Sequence, residues 1–151
     1  MLGHERLTAL FITDDIMENV SVVIAKLARM VNRYSDRKLR VHHLTTQQFM
    51  LLNAVYDNPL PVYQLAVRIG VDRTTVARNT ERLVKSGLLE HQSHIDRRRR
   101  MCALTENGKL AVEEAMPTWI QIDNDLLEYI EGENIEGIIA KMIVLCTFRE
   151  R

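Results

Sequence analysis

The sequence predicts a mainly α-helical protein that carries one small β-hairpin. Apolar residues recur with helical spacing at both ends and in the middle of the 151-residue chain, and only one short region near residue 90 has the pattern of two strands. The hydrophobic share is 46% and the aromatic share 5%, which favours packed helices over sheets rich in aromatic residues.

The first predicted helix spans residues 14 to 38. Its apolar side chains recur at steps of three and four residues, which is the signature of one apolar helix face. This face is too long for neighbouring parts of the chain to cover, so the pattern predicts a partner. The residues are Ile16, Val20, Val23, Ile24, Leu27, Met30, Val31 and Tyr34.

A second predicted helix begins after Thr45 and runs to about Tyr56. The Thr45 side chain can cap the helix and Gln48, three residues on, can reach back, which makes a capping box. Asp57, Asn58 and Pro59 follow as an ending signal.

Two further helices and a short turn predict a helix-turn-helix. The first (residues 63 to 69) stops at Gly70, and Asp72 caps the second, which runs to Ser86 and stops at Gly87. Glycine after a helix and aspartate before one are the usual boundary residues. A turn of about three residues then separates the two helices.

The remaining elements are a hairpin and two helices. Residues 88 to 94 and 100 to 104 read as two strands around an arginine-rich tip, which forms the wing of a winged helix-turn-helix. Thr105 caps a helix that we expect to be broken or bent at Pro117, and a last helix spans about residues 135 to 149.

We therefore expect one domain over residues 1 to 151. Residues 44 to 108 form a DNA-binding winged-helix lobe, and residues 14 to 38 and 110 to 151 supply the N- and C-terminal helices of a dimerisation body. The chain length suits one domain of ordinary size.

Charge is balanced over the whole chain, with 20 basic and 20 acidic residues, but it is unevenly distributed. Between Arg73 and Arg100 there are eight basic and three acidic residues. Between Glu106 and Glu136 there are nine acidic residues and one basic residue, Lys109. A basic middle and an acidic C-terminal third suit a protein that meets nucleic acid with one face.

The second helix of a helix-turn-helix lies in the major groove, so its exposed face is the first candidate site. Val76, Thr80 and Leu83 are expected to point inward. We expect Arg78, Asn79 and one of the two neighbouring threonines nearest the bases. The candidate residues on this helix are Arg73, Thr74, Thr75, Arg78, Asn79, Arg82 and Lys85.

Four consecutive arginines at the hairpin tip are the second candidate site. Their mutual repulsion is costly unless an anion neutralises it, and a narrow tip can enter the minor groove, where arginine is favoured. Ordinary solvated surface charge is the competing interpretation for both sites. The residues are Arg97, Arg98, Arg99 and Arg100.

The sequence also resembles the multiple antibiotic resistance regulator (MarR) family over residues 14 to 150. The run Asp96, Arg97 and Arg98 and the later run from Leu104 to Gly108 resemble its wing-to-helix signature. Pro117 and Trp119, with the segment from Asp72 to Asn79, resemble one branch of the family. Further matching positions are Leu44, Thr45, Gln48, Phe49, Leu52, Leu65, Ala66, Arg82, Leu83, Gly87 and Leu88.

This resemblance implies a homodimer built from the first and last helices, palindromic duplex DNA as the target, and a transcriptional repressor released by a small aromatic or apolar effector. The candidate effector residues are Trp119, Met116 and His42, near the junction of lobe and body. A lone tryptophan in an apolar helix is also compatible with a place in the core. The alternative function is a winged-helix module that binds a protein or RNA.

The two cysteines, Cys102 and Cys146, are 44 positions apart without a Cys-x-x-Cys spacing, and we expect buried thiols rather than a redox pair. No apolar run approaches the roughly 20 residues of a membrane span. We expect a cytoplasmic protein with no membrane partner.

No enzyme class is indicated. The chain has neither a glycine-rich phosphate loop nor a Gly-x-Ser-x-Gly motif. Adjacent His42 and His43 diverge, and His91 and His94 lie on opposite sides of a strand, so no metal site is predicted. We expect no cofactor.

Overall fold

The computed structural model describes residues 20–93, 100–129 and 135–146. The start of the first predicted helix, the hairpin tip with Arg97, Arg98 and Arg99, and the end of the last predicted helix lie outside the described residues. The side chain of Arg100 also lies outside them, although its backbone opens a strand.

The structure confirms a mainly helical fold with a small antiparallel sheet. Among the described residues, no helix is both long and apolar enough to cross a membrane. In chain order the elements are α1 (Val20–Leu39), a 3-10 turn (Arg40–His42), α2 (Thr46–Ala54), β1 (Leu60–Pro61), α3 (Val62–Ile69), α4 (Arg73–Lys85), β2 (Leu89–Ser93), β3 (Arg100–Leu104), α5 (Glu106–Glu128) and α6 (Ile135–Cys146).

All three predicted N-terminal caps are present. The Thr45 hydroxyl accepts from the backbone N–H of Gln48 (3.3 Å), and the Gln48 side chain accepts from the backbone N–H of Thr45 (2.9 Å), which completes the capping box of α2. Asp72 caps α4 and Thr105 caps α5 by a single bond each, in which the side chain accepts from the backbone N–H of Thr75 or of Gly108. Each cap satisfies N–H groups that have no partner inside the helix.

Glycines act at the predicted helix ends and at one close contact. Gly70 follows α3 with φ +67° and Gly87 follows α4 with φ +73°, a region that glycine enters without steric cost. Gly108 serves a different purpose, because a Cβ there would lie 1.9 Å from the carbonyl oxygen of Leu88. The first turn of α5 therefore packs directly on the backbone that enters β2.

The sheet has the order β1-β3-β2, and both pairings are antiparallel. The β2–β3 hairpin is the predicted wing. Strand β1 was not predicted, because two residues ending in a proline carry no alternating pattern. In register, Cys102 of β3 lies opposite Leu60 on one side and His91 on the other.

A single core fills the space under α2, α3, α4 and the sheet. Helix α5 completes it from one side, and the C-terminal end of α1 contributes Leu39. The large buried side chains at its centre are Leu39, Phe49, Leu51, Leu52, Leu65, Val76, Leu83, Leu89, Val112 and Ile122.

Two expectations were wrong in part. Helix α5 is not broken at Pro117 but continues through it, and a bend there stays a prediction. Val112, Ala115 and Ile122 on either side of Pro117 are buried in the core, and this packing outweighs the hydrogen bond that proline removes. Cys102 is buried as expected, but Cys146 is exposed. Helix α6, which carries it, has no extensive packing against another element of the described chain.

Candidate nucleic-acid interface

Helix α4 presents a polar face outward and an apolar face inward, as predicted. Val76, Thr80 and Leu83 are buried, whereas Thr75 is half-buried. Asp72 fixes the start of the helix, and hydrogen bonds from Thr75 lower the pKa of its carboxyl. The exposed predicted residues of this face are Arg73, Thr74, Arg78, Arg82 and Lys85.

The cations of α4 are not neutralised within the described part of the chain. The ion pairs found there join Lys38 to Asp125 and His91 to Glu81, and neither involves a basic residue of α4. Four cations on one exposed helix face are therefore available to an external anion. This face suits the phosphates and base edges of duplex DNA.

Asn79 lies on the inward side of α4, and its predicted contact with the bases stays a prediction. It is 9% exposed, and its Nδ2 donates to Oε1 of Gln47 at 2.9 Å. Three residues after Val76 and four before Leu83, it occupies the inward stripe of the helix. Its amide links α4 to the first turn of α2.

A polar groove of about 390 Å³ runs beside this link. Residues of α1, α2 and α4 line it, and of these three helices only α4 was predicted to belong to the interface. Gln47 was missed because a polar residue in the first turn of a helix reads as an ordinary capping region. The groove is lined by Asn32, Asp36, Thr45, Thr46, Gln47, Gln48, Arg78, Asn79 and Arg82.

The wing is tied to α4 by a side-chain bond that the sequence did not reveal. Nε2 of His91 in β2 lies 3.0 Å from Oε1 of Glu81 in α4. His91 therefore links the wing to α4 at the surface. Among the described residues, its buried Nδ1 has no hydrogen-bond partner.

Cys102 lies beside this bond and has the character of a core residue. Burial, with a smaller contribution from the charge of Glu81, raises the pKa of its thiol to about 11. Thiolate is the reactive form of cysteine, so this thiol is held in its unreactive state.

The predicted effector residues do not all line one cavity. Met116 lines a cavity of about 600 Å³ with Tyr56, Val112, Glu113, Pro117 and Ile120. Trp119 instead stacks on Phe49, with 4.8 Å between ring centroids, and Nε2 of His42 lies 2.7 Å from Oγ1 of Thr118. Neither Trp119 nor His42 is among the residues that line the cavity of Met116.

A polar network joins α1 to α5 at the other end of α5. The carboxylate of Asp125 accepts hydrogen bonds from Tyr34, Gln121 and Lys38. In that order, these bonds lower the pKa of Asp125 to about 2. The contact with Asp125 also raises the pKa of Lys38. Within the ranges that the structure describes, no three potential ligands gather at a metal site.

Comparisons with known proteins agree with this geometry. A family model described as MarR family matches residues 42–100. An uncharacterised protein of Mycobacterium tuberculosis is 31% identical over 136 residues, which are 87% of this chain and 94% of that protein.

Solved structures are similar over most of the chain. The M. tuberculosis transcriptional regulator MosR, in complex with DNA, has a TM-score of 0.71 and 28% identity over 85% of this chain and 98% of its own. Bordetella bronchiseptica BpsR, whose DNA binding is regulated by 6-hydroxynicotinic acid, has a TM-score of 0.71 and is 24% identical. The match covers 83% of this chain and 89% of BpsR. Family and fold are those of transcriptional regulators and not of enzymes, and the chain belongs to the MarR family of DNA-binding transcriptional regulators.

Proposed function

We propose that this regulator is a repressor that binds a palindromic operator as a homodimer and leaves it when a small effector binds. The observation that carries the proposal is the exposed face of α4, whose cations have no carboxylate partner in the described residues. In a helix-turn-helix this face enters the major groove, and two copies related by a two-fold axis meet half-sites about one helical turn apart.

Within this proposal the residues have different tasks. Arg78 and Thr74 or Thr75 contact bases, while Arg73, Arg82 and Lys85 contact phosphates. Asn79 positions the recognition helix, because its hydrogen bond to Gln47 holds α4 against α2. The wing arginines, Arg97 to Arg100, enter the minor groove next to the major-groove site.

The decisive experiment is a selection from random duplex DNA with the full-length protein. We expect a palindromic sequence to be enriched. Arg78→Ala should then lose about 1 to 3 kcal/mol of binding to it with an unchanged melting curve. Lys109→Ala, on the surface of α5, is the matched control. Enrichment of no sequence, with capture of RNA or a protein instead, would favour the alternative winged-helix module.

We propose the cavity lined by Met116 and Tyr56 as the effector site. This cavity lies between α5 and the end of α2, so an apolar or aromatic ligand there is positioned to shift the lobe against the terminal helices. Coupling of about 1 to 3 kcal/mol changes DNA affinity some 5- to 150-fold.

The effector proposal is tested by reciprocity. Any small aromatic compound that binds, with 6-hydroxynicotinic acid as the first probe, should bind more weakly in the presence of the operator by the same factor as it weakens operator binding. Met116→Trp should fill the cavity and abolish both effects. Equal ligand affinity with and without operator would show that the cavity is not a switch.

A further inference from the structure

A row of arginines follows one side of α1 and the turn after it, outside the helix-turn-helix. Arg29, Arg33, Arg37 and Arg40 are spaced by four, four and three residues, and all four are exposed. Such spacing places side chains on one helix face. At 1.5 Å per residue the row is about 16 Å long.

The row is not neutralised by neighbouring carboxylates. Neither ion pair of the described residues includes any of the four arginines. Residues 20–40 contain one acidic residue, Asp36. Its carboxylate accepts a hydrogen bond from the backbone N–H of Thr46 at 2.7 Å. Like charges four residues apart destabilise a helix. The arrangement therefore suits an external anion.

The row is continuous with the exposed face of α4. Asn32 and Asp36 of α1 line the same groove as Arg78 and Arg82. Arg33 and Arg37 directly follow these two groove residues and lie about 100° further round the helix. On the opposite side of the groove residues, Ser35 and Leu39 are buried. The arginines therefore stand on the solvent side of the groove, next to the face that reads DNA.

We propose that this arginine row binds the phosphate backbone of the same duplex that α4 reads. The inference rests on the proposed DNA binding and adds a second, sequence-independent contact surface to it. A row of about 16 Å is matched to a linear polyanion, since each DNA strand carries a phosphate every 3.4 Å or so along the axis. Arginine pairs with phosphate through two parallel hydrogen bonds. Such contacts position the protein without reading sequence.

The test compares two full-length variants that each lose two positive charges. Arg33→Gln with Arg37→Gln removes the centre of the row, and Lys109→Gln with Lys141→Gln is the control on α5 and α6. Binding to the selected operator and to an unrelated duplex of equal length is measured from 50 to 200 mM salt. For the row variant we expect weaker binding to both duplexes. The salt slope should be smaller by about 3.6, at about 0.9 per lost contact, because each dimer loses two contacts in each of its two copies. The ratio of wild-type affinity to variant affinity should therefore fall about 150-fold from about 50 to 200 mM salt.

A second pair, Arg29→Gln with Arg33→Gln, repeats the test without touching Arg37, whose guanidinium lies over the Tyr34 ring. Unchanged binding by both row variants would overturn the inference alone, and a wild-type chain that bound no duplex would overturn the proposed function with it. An equal loss in the lysine control would show a general charge effect. A loss confined to the operator, or dissociation into monomers in sedimentation, would instead assign the row to base reading or to a subunit contact, and either result contradicts the proposal.

Discussion

The winged lobe and the terminal helices place the same kinds of apolar residue in opposite environments. In the lobe, Phe49, Leu52 and Leu65 have no exposed surface, whereas Leu27 of α1 is 46% exposed and Ile143 of α6 is 61% exposed. Exposed apolar surface of this extent on two helices marks an interaction surface. The lobe thus completes its core within one chain, and in the proposed homodimer a second chain would cover the terminal helices.

Helix α5 belongs to both regions. Val112, Ala115 and Ile122 are buried in the lobe core, while Leu127 and Tyr129 at its other end are exposed. A helix that is fixed in the lobe at one end and takes part in the body at the other can transmit movement between them. We therefore expect substitutions in the lobe to change fold stability and substitutions in the terminal helices to change assembly.

The largest expected effect comes from breaking the assembly. Met142→Glu with Ile143→Glu places two charges on the exposed apolar face of α6 and should produce monomers in sedimentation at micromolar concentration. Losing one of two linked half-site contacts should weaken operator binding by about 10² to 10⁴-fold. Val67→Glu, on a single exposed side chain of α3, is the control and should remain dimeric. A dimeric double variant would contradict the assignment of α6.

The next effect should lie in the lobe. Phe49→Ala removes a fully buried ring that stacks on Trp119, and we expect a loss of about 3 to 5 kcal/mol in the free energy of unfolding. Leu145→Ala, on the exposed face of α6, should lower the free energy of unfolding much less when both substitutions are made in the monomeric Met142→Glu, Ile143→Glu variant. Chemical denaturation of the Phe49→Ala and Leu145→Ala chains in that variant measures the difference. Similar losses would show that α6 has an intrachain core after all.

Much of the fold could be predicted from the sequence because its signals are local. Thr45, Asp72 and Thr105 cap helices, and Gly70 and Gly87 end them, through contacts within a few residues. Long-range contacts could not be predicted in this way. Asn79 follows Arg78 in the sequence but pairs with a residue 32 positions away, so neighbouring positions on one helix have different roles.

The candidate site was predicted only in part for the same reason. The exposed cations of α4 follow from helical periodicity alone. The Glu81–His91 bond, the groove beside Gln47 and the lining of the Met116 cavity depend on how helices pack, which periodicity does not specify. Strand β1 is too short to carry a pattern and forms because β3 offers it a free edge.

A smaller effect should distinguish the two cysteines, one in each region. With a thiol pKa of about 11, Cys102 has only about one thiolate per thousand molecules at pH 8, and it is buried. We expect iodoacetamide to label Cys146 first in the monomeric α6 variant, more slowly in the wild-type dimer, and Cys102 only on unfolding. Peptide mass spectrometry assigns the labelled site. Early labelling of Cys102 would contradict its place in the core.

The smallest expected effect concerns the network that joins α1 to α5. Because the pKa of Asp125 in the folded chain is about 2, below its ordinary value of 3.8, its charged form favours the folded state. This stabilisation is complete above about pH 4 and is lost as the pH falls from about 4 to 2. Asp125→Asn should therefore lower the thermal midpoint at pH 7 and flatten its decline below pH 4.

Asp123 provides a control of opposite sign, since burial raises the pKa of its carboxyl and its charged form disfavours folding. Asp123→Asn should leave the midpoint at pH 7 unchanged or raise it. If both variants lowered the midpoint equally and by the same amount at every pH, the effect would come from lost packing, and the network would not be the electrostatic tie between the two regions.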